Sequence, residues 1–147
     1  MQKLLVVIAL LFLFSTSLKA QKAEVYNSKG KAISGYDAVA YFTESKPVEG
    51  KAEFTYSWNS ANWYFSNAKN LQAFTENPQK YAPQYGGYCA YGMADSHKAP
   101  TDPGAWTILD GKLYLNYNKD VQKLWNKKQL SYVASADKNW PGLKNKE

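Results

Sequence analysis

Polar and apolar positions alternate along the chain in two places, and each alternation runs into a stretch of helical spacing. From Glu53 to Asn59 the side chains of Phe54, Tyr56 and Trp58 fall on one face, and Asn62 to Ser66 takes up the aromatic pattern after the polar break Asn59-Ser60-Ala61. Period-two alternation around such a break predicts a β-hairpin. Ser66-Asn67 then open a helix in which Ala68, Leu71 and Phe74 share a face. Asn77-Pro78 stop it, because proline disfavours helical backbone in the residue before it. Further on, Trp106 to Leu109 and Lys112 to Tyr117 flank Asp110-Gly111, a pair suited to the positive φ of a two-residue hairpin turn. Asn118 or Asp120 opens the next helix, with Val121, Leu124 and Trp125 on one face.

An offset of 50 superimposes the two stretches, setting Tyr56 on Trp106, Trp58 on Ile108, Tyr64 on Tyr114, Phe65 on Leu115, Leu71 on Val121 and Phe74 on Leu124. The predicted fold is α+β, a single domain of two β-hairpin-plus-helix units with antiparallel strands packed against helices. Ahead of the first hairpin, Gly35-Tyr36-Asp37 reads as a turn. Asp37 is placed to cap a short helical turn carrying Val39, Ala40, Tyr41 and Phe42.

The chain opens with Met1 to Lys3, an unbroken apolar run from Leu4 to Phe14, and Ser15 to Ala20 ending on a small residue. That order is the pattern of a signal peptide cut after Ala20, and the run is too short to span a bilayer, which takes roughly 20 apolar residues. The protein is expected to be exported, periplasmic or secreted, with no membrane span after cleavage. Residues 21–32 read as a flexible, Lys-rich lead-in with one short strand at Val25-Tyr26, residues 33–141 as the folded domain, and residues 142–147 as a polar tail.

Composition narrows the chemistry. Of 147 residues, 18 are basic, and every one is Lys; the net charge is +6. Planar bidentate recognition of phosphate or guanine is the work of Arg, and the Lys are scattered, so no nucleic-acid partner is expected. One Cys and one His exclude internal disulfides, Cys-rich zinc sites and multi-imidazole metal centres. Five Trp and 12 Tyr exceed what one small apolar core absorbs, since buried phenols and indoles want polar partners. Some are expected to line a cleft or an interface.

The segment from Tyr81 to Asp102 holds Tyr81, Tyr85, Tyr88 and Tyr91, the pair Gly86-Gly87, and both Cys89 and His97. Cys89, Met93 and His97 are spaced four and four, so a continuous helix would align thiolate, thioether and imidazole, a donor set that suits Cu(I). A nucleophilic Cys89 would need a base within hydrogen-bond reach, and His97 is the imidazole available.

The strings Gly35-Tyr36-Asp37-Ala38-Val39-Ala40-Tyr41-Phe42, Trp63-Tyr64-Phe65-Ser66, Asn77-Pro78 and Tyr85-Gly86-Gly87-Tyr88-Cys89-Ala90-Tyr91 resemble exported members of the YHS domain family, over Ile33 to Trp140. Short metal-associated relatives carry three cysteines as presumed metal ligands. Those positions correspond here to Ala40, Ser66 and Asn70, none of which is a soft ligand. Ser66 is suited instead to cap the following helix.

The resemblance thus implies the fold without that metal site. The function expected is an exported, non-enzymatic binding module with no catalytic residues and no required cofactor. Tyr36, Asp37, Tyr85, Tyr88, Cys89 and Tyr91 would form an aromatic pocket for a small-molecule or protein ligand. Two alternatives stand beside it: copper handling through Cys89, Met93 and His97, and a small enzyme using Cys89, or Asp37 with a neighbouring Tyr.

Overall fold

The computed structural model describes residues 23–146. The expected signal peptide over residues 1–20 lies outside the described residues. A short hairpin of β1 (Asn27–Ser28) and β2 (Lys31–Ala32) leads into α1 (Ala40–Thr43), the hairpin of β3 (Lys51–Trp58) and β4 (Ala61–Phe65), and the helices α2 (Ala68–Glu76) and α3 (Pro78–Tyr81). The second half repeats that order as α4 (Ala90–Ala94), the hairpin of β5 (Trp106–Leu109) and β6 (Lys112–Leu115), α5 (Lys119–Asn126) and α6 (Gln129–Leu143). The fold is α+β in a single domain. Among the described residues no helix is long and apolar enough to cross a membrane.

The repeat extends further than the hairpins, and from the hairpin turns to the helix caps its offset is 51 rather than 50. The hairpin turns Asn59-Ser60 and Asp110-Gly111 stand 51 apart, both residues of each having positive φ. The helix caps Asn67 and Asn118 also stand 51 apart, each accepting from the backbone N–H three residues on. In this register Phe74 matches Trp125, and both are wholly buried, whereas Leu124 is 43% exposed. Aromatic residues occupy neighbouring positions in both hairpins, so side-chain pattern alone tolerates either offset. Turn and cap geometry does not.

Ahead of each hairpin, a run of positive φ at Ile33, Ser34 and Gly35 is mirrored at Tyr85, Gly86 and Gly87. Each run ends in the same motif, Gly35-Tyr36-Asp37-Ala38 in one half and Gly87-Tyr88-Cys89-Ala90 in the other. A β-branched residue in the left-handed region, as at Ile33, is held there by its surroundings. Ile33 donates its N–H to Tyr26 O and its side chain is buried.

Two cores meet along β6. Leu113 and Leu115 pack into a cluster with Val25, Trp63, Phe65 and Phe74, while Tyr114 between them joins Tyr85, Met93 and Trp125. Successive side chains of a strand point to opposite faces, so β6 is a wall shared by both halves. Val25 of the expected lead-in and Leu143 of the expected tail pack into these cores. Val25 is 2% exposed and Tyr26 N donates to Gly86 O, so the folded part begins ahead of Ile33; α6 runs to Leu143, which packs on the second cluster. Burial of one valine outweighs the polar character of its neighbours.

Candidate functional site

The motif Gly35-Tyr36-Asp37-Ala38 places a carboxylate inside the first unit. Asp37 is fully buried. A buried charge is costly unless hydrogen bonds replace its water. Its Oδ1 accepts from the N–H groups of Val39 and Ala40, and its Oδ2 from Ser66 N, Ser66 Oγ and Asn70 Nδ2, at 2.7 to 3.1 Å. The carboxylate thus caps α1 and ties it to the β4–α2 junction. Ser66 is turned toward this carboxylate, and the cap of α2 is Asn67, not Ser66.

Ala40, Ser66 and Asn70, the positions that the YHS resemblance set against cysteines, all meet this one carboxylate. They do not fit a metal. Ala40 offers no side-chain donor atom, and Ser66 and Asn70 spend their polar hydrogens on Asp37, whose two oxygens already take five donors.

Cys89 takes the matching place in the second unit. Its Sγ accepts from Gly92 N at 3.4 Å and from Tyr117 N at 3.3 Å, the counterparts of Ala40 N and Ser66 N, and donates to Asn116 Oδ1 at 3.6 Å. Asn116 Oδ1 also accepts from Tyr91 N, and the buried Asn116 Nδ2 has no hydrogen-bond partner among the described residues. Burial pushes the Cys89 thiol up from its ordinary value, against the smaller opposing effect of the backbone N–H groups. A protonated, 2% exposed thiol is a poor nucleophile.

Nor do Cys89, Met93 and His97 come together as the four-and-four spacing suggested. The helix spans Ala90–Ala94 and ends before His97. Cys89 and Met93 are buried, while His97 is exposed and its Nδ1 lies 3.7 Å from Asp95 Oδ2. Gly92 is packed against the returning chain at His97 and Ala99, a close approach that turns the backbone away from a continuous helix. Among the described residues no group of three or more His, Cys, Asp or Glu side chains is placed to hold a metal ion.

The tyrosines of this segment face three different depressions rather than one pocket. Tyr91 stacks on Tyr132 with ring centres 5.1 Å apart, beside a groove of about 270 Å³. Tyr88 donates to Ala23 O and lines a second of about 220 Å³. Tyr36 lies on the surface side, its OH 3.4 Å from Glu49 Oε1. The positive-φ run and the change to α4 rotate successive side chains apart, so nearness in sequence does not become a shared pocket.

Tyr85 faces the largest of the three, a cleft of about 340 Å³ where the two halves meet. Trp58 and Trp63 come to it from the first hairpin, Glu24 from the N-terminal segment, Gln84 and Tyr85 from the positive-φ run, and Trp140 from α6. Gly86 closes one side. A Cβ there would stand 1.8 Å from Glu24 O, and its φ is +63°, so the backbone contact requires glycine. Trp63 donates to Trp58 O, and Tyr85 donates to Asp137 Oδ1 at 2.8 Å, which fixes both inner walls. Burial first, then the bond to Asp137, pushes the Tyr85 phenol far up, so it remains neutral.

Of the expected site residues, the structure therefore brings Tyr85 to the cleft and leaves Tyr36, Asp37, Tyr88, Cys89 and Tyr91 elsewhere. Sequence reasoning missed Glu24, Gln84 and Trp140 as cleft residues. Trp140 carried a signal in being a large aromatic within an otherwise polar C-terminal stretch. Comparison with protein-family models, with curated proteins and with solved structures returned no match.

Proposed function

We propose that this chain is an exported, non-enzymatic binding module of YHS type that holds a small molecule in the cleft between its two halves. The observation that carries the reading is the cleft itself. It combines indole walls, Trp58 and Trp140 being half-buried, with the side chains of Glu24, Gln79 and Gln84, which have no hydrogen bond to protein among the described residues. A concavity that combines aromatic walls with a few unengaged polar groups has the mixed lining by which small-molecule sites fix and orient a ligand. The resemblance to the YHS family gains support from Asp37, since Ala40 and the distant pair Ser66 and Asn70, positions that the family treats as one site, meet at one carboxylate. The non-enzymatic part rests on the two strongest nucleophile and base candidates. Asp37 has its oxygens occupied by structural donors, and Cys89 is a buried thiol bonded to backbone and to Asn116.

The test is a tryptophan-fluorescence screen of the purified protein against a panel of small polar metabolites, run beside Gln84→Trp, which fills the cleft. Saturable spectral changes in the wild type that vanish in the filled variant are expected. If the two proteins respond alike across the panel, the cleft is not a binding site.

A further inference from the structure

Resting on the reading of the cleft as a ligand site, we infer that its ligand is a small organic ammonium ion. The first reason is the sign of the charge. The chain has 18 Lys and a net charge of +6, yet among the described residues none of those lining the cleft is Lys, and the charged one is Glu24. A second carboxylate, Asp137, sits behind Tyr85 as the acceptor of its phenol. Among the described lining residues a cation would meet a carboxylate, and an anion would meet no ammonium.

The second reason is the kind of surface. Indole faces bind cations through their quadrupole better than other aromatic rings do. Trp58 packs on Trp63 and Phe74 with ring centres 5.8 Å apart, and Trp140 stands edge-on to Tyr85 at 6.1 Å, so both outer indoles are braced from behind. Asn59, Gln79 and Gln84, which carry side-chain amides, are also among the lining residues.

The third reason is an internal precedent next to the cleft. Lys98 is 7% exposed, and its ammonium lies 5.0 Å from the ring centre of Tyr88 and 5.9 Å from that of Trp140. It donates to the backbone carbonyls of Ala23, Lys144 and Lys146. Aromatic faces and carbonyl oxygens are thus among the groups that hold one ammonium against Trp140. The cleft offers the same two kinds of group, and against the like charge of Lys98 it sets Glu24 and Asp137. With about 340 Å³ it is at the small end of ligand pockets, which suits a compact cation.

Calorimetric titration with choline and ethanolamine, with 3,3-dimethylbutan-1-ol as the neutral shape-mimic of choline, and with acetate tests this. At least one of the two cations should bind saturably and about tenfold or more tighter than the neutral mimic, with acetate inert. Glu24→Gln, a change at a partly exposed side chain that leaves the core intact, should weaken the cation about tenfold and leave the mimic unaffected. If the mimic matches choline, or if a non-cationic metabolite is the one displaced by Gln84→Trp, the cleft stands as a site but the ammonium assignment is wrong. Cation binding that persists in Gln84→Trp places it elsewhere on the surface and overturns the inference. Silence from both cations overturns it as well. Silence across the wider panel, with Gln84→Trp indistinguishable from wild type, removes the cleft reading on which it rests.

Discussion

Tyr85 and Tyr41 have phenols whose protons are held by the fold. Burial is the main cause in both, reinforced at Tyr85 by its bond to Asp137, and each is pushed far above the ordinary value of 10.0. Tyr41 donates to Pro103 O at 2.9 Å. Below pH 10 the folded and unfolded chains are both protonated at these sites, and the stability they contribute is complete. Above pH 10 the unfolded chain releases protons that the folded chain retains, so stability falls as pH rises toward the folded values. Urea denaturation at a series of alkaline pH values should give an unfolding free energy that declines above pH 10. Tyr85→Phe should cost about 1 kcal/mol at pH 7, from the lost hydrogen bond, and make the alkaline decline shallower. An unchanged alkaline slope in that variant would show that the phenol ionises freely in the folded protein.

At the scale of elements, the question is which residues the second helix-hairpin unit turns inward. The apolar stripe Val121, Leu124 and Trp125 was legible in the sequence, and so were both hairpins and the stop at Asn77-Pro78. The split within the stripe was not. Val121 is partly buried, Leu124 exposed and Trp125 wholly buried, because the Asn118 cap sets the rotation of α5 one residue away from the best side-chain match. Leu124→Gln should change stability by no more than about 0.5 kcal/mol, as for most surface positions. Trp125→Ala should cost about 3–5 kcal/mol, the usual range for emptying a buried aromatic site. Equal losses in thermal or urea unfolding would return the repeat to the offset of 50. The same logic explains the tyrosines. A helix spacing of four predicted a common face for Cys89, Met93 and His97, but only five residues of that stretch are helical.

At the scale of the molecule, the two units are joined by more than their shared strand. The N-terminal segment crosses between them, with Val25 in the first core, Tyr26 N on Gly86 O, and Ala23 O accepting from Tyr88 and Lys98 in the second. Glu24, between these anchors, is thereby held at the cleft. A protein beginning at Asn27 should lose about 2–4 kcal/mol in urea unfolding, from one buried valine and the abandoned hydrogen bonds. An unaltered midpoint would mean the segment adds nothing to the fold.

The sequence by itself determined the α+β class, the two hairpins, their turns and the helix that follows each, because these depend on local periodicity and on turn and cap chemistry. With one Cys and one His it also excluded an internal disulfide and a Cys-rich or multi-imidazole metal centre within this chain. Even the pairing of Gly35-Tyr36-Asp37-Ala38 with Gly87-Tyr88-Cys89-Ala90 was there to be read. Only the tertiary structure decided that Asp37 is a saturated structural carboxylate, that Cys89 is its buried counterpart, and that Glu24, Trp58, Tyr85 and Trp140 surround one cleft. Those residues lie on four separate segments of the chain. No local pattern couples them, and they become neighbours only when two similar units pack against each other along β6.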